Sequence, residues 1–478
     1  MKFNGNSPQK AAMVYLILGM LPSGIKIFLL PVYINFLSPA DYGILSILNV
    51  FAAAYGILGA FQMNIGVGVH FFKTEAKDAF EKTAISSTII LAFISFLFFM
   101  ALGPVLFKYF FKIPELDFFP LGLMTLVTGL VTQVHLVYFV LLKNTYRLKE
   151  LSIYSVSLLV LSSGLQFFLI VFMELNVMGS VLGGLIANAG VVVVLLFLNR
   201  KSLTFHVNYD ILKGCLAVSL PMIPSVFINW VINFGDRVIL EKYLTLHDLG
   251  IYTLLLNILG VSLLISQSLA TAIRPMFFTY LNDPQENKSQ LMGLDRNFTL
   301  ISVLSSSAVM LIGFNLELII SDERYLSIIP FMSMAIFILL PKALVKLPRL
   351  AMAFKGKTGL ISLFTFVNAA VMITLMLWLI PIGGITYALI SMSIASAVEL
   401  LLCYIIFYQL KIPNSAKASI IMVLASSILI TGVCWIGLKM DWAYGIIGIL
   451  QFMVALMIIV LIERKNLSIS RITNMFNS

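Results

Sequence analysis

Histidine, cysteine and acidic side chains are scarce in this chain of 478 residues, which holds four His, three Cys and 21 Asp or Glu. Charged residues of both signs make up only 11% of it, against 60% hydrophobic. A soluble globular domain carries about 25% charge, so the composition excludes one. Cys215, Cys403 and Cys434 fall within or at the edge of apolar runs, with no CxxC spacing and no neighbouring His. That pattern marks packing residues and argues against disulfides and metal centres. No Walker A, HExxH or GxSxG sequence occurs, and the longest expected loop, 278–300, is short for an extramembrane catalytic site. The chain is therefore expected not to be an enzyme, to hold no cofactor and not to be driven directly by ATP.

What the sequence has in abundance is long apolar runs. Fourteen can be read, at 11–37, 43–67, 84–107, 118–142, 151–173, 176–199, 214–235, 248–273, 298–320, 326–351, 358–380, 384–409, 416–437 and 442–462. Most reach the ~20 residues that a helix needs to cross ~30 Å of hydrocarbon. Without water to bond to, each crossing segment must satisfy its own backbone, which makes these helices and not barrel strands. The expected fold class is all-α and polytopic.

The cations are distributed unevenly. If the first helix starts in the cytoplasm, 24 of the 31 Lys and Arg fall on the inner side, counting Lys342, Lys346 and Arg349 in the inner half of the tenth run and Lys417 at the inner end of the thirteenth; six fall outside, and Lys26 lies within a helix. Short basic loops resist translocation, so both termini are expected on the cytoplasmic side. The net charge of +10 then reflects topology and attraction to anionic headgroups, not nucleic-acid binding. The polar start MKFNGNSPQK and the long apolar run from Ala11, which lacks a small-residue cleavage site, argue against a removable signal peptide.

The two halves resemble each other. Leu21-Pro22 and, after the turn, Asp41-Tyr42-Gly43-Ile44-Leu45-Ser46 are matched by Leu220-Pro221 and Asp248-Leu249-Gly250-Ile251-Tyr252-Thr253. Phe71-Phe72 and Phe277-Phe278 close the corresponding long helices. Six helices separate the copies, so the repeats share one orientation, related by an axis along the membrane normal. The expected organisation is a six-helix lobe at 1–198, a cytoplasmic linker at 199–213, a second six-helix lobe at 214–410, and two further helices with a tail at 411–478. Two lobes facing across a central cleft suit alternating access; duplication alone is the plainer alternative.

Polar groups at bilayer depth are expensive and are default functional candidates. Lys26 lies about fifteen residues into the first helix, too deep to snorkel easily; it lines the cleft or serves a structural ion pair. Lys342, Lys346 and Arg349, spaced four and three apart, share a helix face in a segment interrupted by Pro341 and Pro348. Lys346 and Arg349 can equally be inner-end residues that snorkel. Glu399 sits at a depth similar to Lys342, where it can carry H⁺ or hold Na⁺ as a coupling ion or simply neutralise Lys342. The seventh helix carries Asn229, Asn233, Asp236 and Arg237 along one face, and the eighth Gln267, Thr271 and Arg274. Such groups bind sugar hydroxyls or glue helices together at about 0.6–2 kcal/mol each. Gln133 and His135 in the fourth helix admit the same two readings.

Leu21-Pro22 with Phe36-Leu37-Ser38-Pro39-Ala40-Asp41-Tyr42-Gly43, and Leu220-Pro221, Gly235-Asp236-Arg237-Val238-Ile239-Leu240 and Leu249-Gly250-Ile251-Tyr252, resemble the O-antigen and capsular polysaccharide repeat-unit flippases of the multidrug/oligosaccharidyl-lipid/polysaccharide exporter superfamily. The resemblance implies a two-lobed bundle that moves an undecaprenyl-pyrophosphate-linked oligosaccharide from the inner to the outer leaflet of a bacterial cytoplasmic (inner) membrane. It also implies an ion gradient as the driving force, with a polysaccharide polymerase and a chain-length regulator as partners beside the membrane lipids. Lys26, Lys342, Lys346 and Arg349, with Asn229, Asn233 and Arg274, are the expected substrate-binding residues, since cations hold a diphosphate by charge-assisted hydrogen bonds. Glu399 and Asp236 are the expected coupling residues. A drug/cation antiporter of the same superfamily would favour acidic residues in the cleft, and a non-transporting polysaccharide polymerase would need larger outer loops.

Overall fold

The computed structural model describes residues 33–109, 116–200, 207–318, 323–410 and 443–463, with the single positions 25, 29, 412, 432, 436 and 440. The longer helices among them are α1 (Pro39–Leu58), α2 (Met63–His70), α3 (Lys77–Tyr109), α4 (Leu123–Asn144), α5 (Leu148–Val171), α6 (Asn176–Leu198), α7 (Tyr209–Ser219), α8 (Ile223–Tyr243), α9 (Leu246–Asn282), α10 (Lys288–Phe314), α11 (Ala335–Leu344), α12 (Lys346–Phe354), α13 (Thr358–Gln409) and α14 (Tyr444–Glu463). Every regular element among the described residues is helical, as the hydrocarbon argument requires.

Joined across short breaks, these segments give ten helices long and apolar enough to cross a membrane. The second to tenth expected spans each fall on one of them. The eleventh and twelfth together form α13, which bends at Gly383 and Gly384, where Gly384 takes φ 59° and ψ −136°. That conformation is open to glycine and closed to residues with a Cβ. The last expected span falls on α14. Most of the thirteenth span, most of the first and Lys26 lie outside the described residues. The stretch 278–300, expected as a loop, is helical except at 283–287, because α9 and α10 continue past their apolar stretches.

By internal contact the chain divides into two compact units, Met1–Leu254 and Leu255–Ser478. The boundary falls within α9, beyond the 199–213 linker.

In the first unit, two crossing segments are broken at mid-length. Span two passes from α1 to α2 through Ala60, Phe61 and Gln62, all three left-handed at φ 45°, 51° and 57°. Left-handed backbone costs L-residues about 1–2 kcal/mol each, so three in succession need support. Span seven passes from α7 to α8 through a 3₁₀ turn at Leu220–Met222 that contains Pro221, with Pro224 opening α8. The two breaks lie against each other. Below them a core of Met63, Val67, Phe71, Phe80, Val137, Leu141, Ile211 and Cys215 is closed to solvent.

The sequence repeat has a structural counterpart in this unit. Ser38 caps α1: its Oγ accepts from the Asp41 amide at 3.2 Å, while Asp41 Oδ2 accepts from the Ser38 amide at 2.8 Å. Thr245 and Asp248 repeat this capping box at the start of α9, at 3.2 Å in both directions. The two helix starts then interlock through glycine. A Cβ on Gly43 would lie 2.2 Å from the Leu246 carbonyl oxygen, and one on Gly250 would lie 1.7 Å from that of Pro39. Only hydrogen fits at either place. Equivalent residues meet at the centre, where Thr253 Oγ1 donates to Ser46 Oγ at 2.9 Å across 207 residues of sequence.

The second unit is centred on Phe277, Leu281, Leu291, Leu294, Ala351 and Phe407. Its tenth crossing segment starts as a 3₁₀ helix, Glu323–Met334, and continues as α11 and α12, which part at Val345 between Pro341 and Pro348. Polar glue joins helices here: Ser262 Oγ bonds Ser305 Oγ at 3.2 Å and Ser306 Oγ at 3.1 Å, and Gln451 Nε2 donates to the Ser307 carbonyl at 3.1 Å.

Candidate functional site

The second unit places four of the expected site residues in one neighbourhood. Lys346 and Arg349 stand one turn apart on α12, yet they reach different helices. Lys346 Nζ donates to Gln267 Oε1 on α9 at 2.6 Å. Arg349 turns to α13, where it donates to Thr365 Oγ1 at 2.8 Å and forms an ion pair with Glu399. Glu399 also accepts from Asn368 Nδ2 at 3.0 Å. Lys342, one turn before Lys346 and half-buried, is within electrostatic reach of the same carboxylate.

Burial orders these interactions. The Glu399 side chain keeps 10% of its surface and that of Arg349 keeps 32%, so the carboxylate depends on its partners and the guanidinium is partly solvated. A buried carboxylate requires a paired cation, and Arg349 supplies it with Lys342 in range. Lys346 is held by a neutral amide oxygen. Among the described residues no carboxylate meets Lys346 directly.

Thr365 and Asn368 were not among the expected site residues. Their signal is an amide and a hydroxyl three positions apart in the apolar run Leu363-Phe364-Thr365-Phe366-Val367-Asn368, which puts both on one face. Which face that is depends on packing against the second half of α13, where Asn368 Nδ2 also reaches the Ala395 carbonyl at 3.1 Å.

The other candidates lie elsewhere. Asp236, 2% exposed, accepts from Tyr252 OH at 2.7 Å, from the Arg237 amide at 2.8 Å and from Arg237 Nη1 at 2.9 Å. This ties α8 to α9 within the first unit. Asn229 and Asn233 are exposed on α8 and fold back on their own helix, donating to the Ser225 and Asn229 carbonyls at 2.9 and 2.7 Å. Arg274 is exposed and stacks over Phe278, 5.2 Å from the ring centroid. Thr271 Oγ1 caps the Gln267 carbonyl at 2.8 Å. Gln133 is 5% exposed, and His135 Nδ1 shares a 2.5 Å hydrogen bond with Tyr154 OH. Cys215 and Cys403 are buried thiols, and Cys434 lies outside the described residues.

A family model described as polysaccharide biosynthesis protein matches residues 34–321. The chain belongs to this polysaccharide biosynthesis protein family. No curated protein is detectably similar to this family member in sequence. Its fold is shared with solved transporters. A structure of lipid II flippase MurJ in an inward closed conformation, 12% identical, aligns over 95% of this chain and 98% of its own with a TM-score of 0.65. An inward-facing multidrug resistance MATE family transporter of the MOP superfamily, 14% identical, covers 83% and 95% with a TM-score of 0.56. The Vibrio cholerae MATE transporter VcmN in its bent form, 16% identical, covers 82% and 96% with a TM-score of 0.52. At these identities the likeness establishes a fold of this class for the family member, a multi-pass helical membrane protein.

Proposed function

We propose that this polysaccharide biosynthesis protein is a flippase for a lipid-linked oligosaccharide with an anionic diphosphate headgroup, and that Lys346 is its principal contact with that anion. The observation that carries this reading is the pairing around α12: Arg349 is committed to Glu399, whereas among the described residues Lys346 is held only by the amide of Gln267. An amide oxygen is a replaceable partner for an ammonium; a phosphate oxygen forms the stronger, charge-assisted bond. Lys342 adds long-range attraction, and Arg349 with Glu399 frames the site.

The substrate is an undecaprenyl-pyrophosphate-linked repeat unit of O-antigen or capsule, moved by alternating access from the inner to the outer leaflet of a bacterial cytoplasmic membrane, with both termini inside. Family membership, the transporter folds and the bias of Lys and Arg between loops support this. H⁺ or Na⁺ is the coupling ion, and Glu399, whose side chain keeps 10% of its surface against 3% for Asp236, is the better placed of the two expected carriers. A polymerase and a chain-length regulator act on the product. Lys26, Asn229, Asn233 and Arg274 remain candidates for sugar or phosphate contacts elsewhere along the path.

The test uses purified protein in proteoliposomes with a fluorescent undecaprenyl-diphosphate oligosaccharide, scored by how much label an external quencher reaches. Lys346→Arg is expected to retain flipping and Lys346→Glu to lose it while still inserting. Wild-type flipping by Lys346→Glu would remove this residue from the mechanism. Efflux of cationic dyes with no movement of the lipid would instead favour the antiporter reading.

A further inference from the structure

The break in span two has an unusual hydrogen-bond balance. In a continuous α-helix the carbonyls of Gly56, Ile57 and Leu58 accept from the amides four residues on, those of Ala60, Phe61 and Gln62. The left-handed turn takes those amides out of the i to i+4 register, and each of the three carbonyls has a side-chain donor. Gln62 Nε2 donates to Gly56 at 2.5 Å and to Ile57 at 3.0 Å, and Ser95 Oγ, 2.8 Å from the Leu58 carbonyl and 3.0 Å from that of Leu91, shares its one hydrogen between the two. Gln62 is 8% exposed and Ala60 1%, so in hydrocarbon these carbonyls have little water to turn to.

The geometry points to a two-state element: residues 59–62 alternate between the left-handed turn and a right-handed one that makes span two a continuous helix, with Gln62 as the latch that closes the broken form. The same three carbonyls have donors in both forms, side chains in one and the amides four residues on in the other. For these carbonyls the usual obstacle to remodelling a helix inside a membrane, a stranded acceptor, is removed, and the Gln62 side chain is the group that must find a new partner in the straight form. The strain of three left-handed non-glycine residues drives the turn toward the helix, and the amide of Gln62 opposes it.

The surroundings limit what moves. Beyond the break, α2 is seated on α7: a Cβ on Gly66 would lie 2.3 Å from the Cys215 carbonyl oxygen, and one on Gly214 would lie 2.3 Å from His70 Nε2. Before it, α1 is tied to α8, where Trp230 Nε1 donates to the Val50 carbonyl at 3.2 Å. The break in span seven faces the break in span two, so α1 with α8 pivots against α2 with α7 about one level of the unit. This holds whichever solute the protein moves.

The test measures the distance between spin labels at Asn49→Cys and Val69→Cys, two exposed positions on either side of the break, in protein freed of its own cysteines and held in lipid nanodiscs. A continuous helix sets about 30 Å between these backbones, at about 1.5 Å per residue, and the turn sets a second, different distance. Ala60→Gly removes one left-handed penalty and is expected to raise the ratio of broken to continuous form about tenfold. Gln62→Leu removes the latch and is expected to lower it about tenfold. Opposite shifts establish the two-state turn. One unchanged distance in wild type and in the well-tolerated Ala60→Gly variant would overturn it and leave a static kink.

Discussion

Removing Arg349 tests the reading of the second unit most directly, because it strands a carboxylate. Breaking one side of a buried ion pair costs about 3–5 kcal/mol. Arg349 retains 32% side-chain exposure, which discounts the pair, and Asn368 continues to donate to Glu399. The low end applies, so Arg349→Met is expected to cost about 3 kcal/mol. Glu399→Leu leaves behind the better-solvated partner, whose aliphatic stem lets the guanidinium reach polar surroundings, and is expected to cost about 2 kcal/mol. In the double variant neither charge is stranded, and the cost is expected to remain at about 2 kcal/mol, a coupling of about 3 kcal/mol in a double-mutant cycle. Equilibrium unfolding by SDS in mixed micelles reads all four proteins on one scale. An additive cost of about 5 kcal/mol in the double variant would refute the reasoning, since it would mean that Arg349 and Glu399 are stabilised independently.

Two further outcomes follow from contacts in the first unit. Gly250→Ala places a methyl group 1.7 Å from the Pro39 oxygen and is expected to destabilise by about 2–3 kcal/mol. Gly260→Ala, which meets nothing within 4 Å, should be neutral or stabilising in the same titration, and equal behaviour of the two would remove the steric argument. Tyr252→Phe leaves Asp236 with Arg237 as its partner and is expected to cost about 1–2 kcal/mol; no change in unfolding midpoint would mean that the hydroxyl is dispensable to the α8 to α9 tie.

Much of this architecture is legible in the residues because the bilayer forces hydrophobic runs to be helices. The Gly383-Gly384 bend was readable as a gap between two runs. The left-handed turn at 60–62 was not: Ala-Phe-Gln carries no turn chemistry, and the conformation is held by Ser95 and by a side chain folding back on its own helix. Hydropathy also hid the helical ends of α9 and α10, since it registers lipid contact and not backbone geometry. The cations of α12 were found as a row, but their spacing gave no means of knowing that Lys346 would face Gln267 and Arg349 would face Glu399. Such pairing is set by helices far apart in sequence. Asp236 was expected as a coupling residue on a polar face, and its lock is Tyr252, sixteen residues on.

The interlocked starts of α1 and α9 have a consequence for how a chain of this kind can arise. Residue i of one copy meets residue j of the other, and j meets i: Gly43 against Leu246, Gly250 against Pro39, Ser46 against Thr253. That is the rule of an isologous dimer interface, in which one patch complements itself. A polypeptide carrying the motif once could pair with a second molecule of itself through both notches at the same time, before any fusion joined the copies. Once joined, the partners no longer share a gene sequence. Each notch can then change alone, as the equivalent positions Ser38 and Thr245, and Pro39 and Leu246, already illustrate by differing, but filling either one still presses on a backbone that the other half cannot move out of the way.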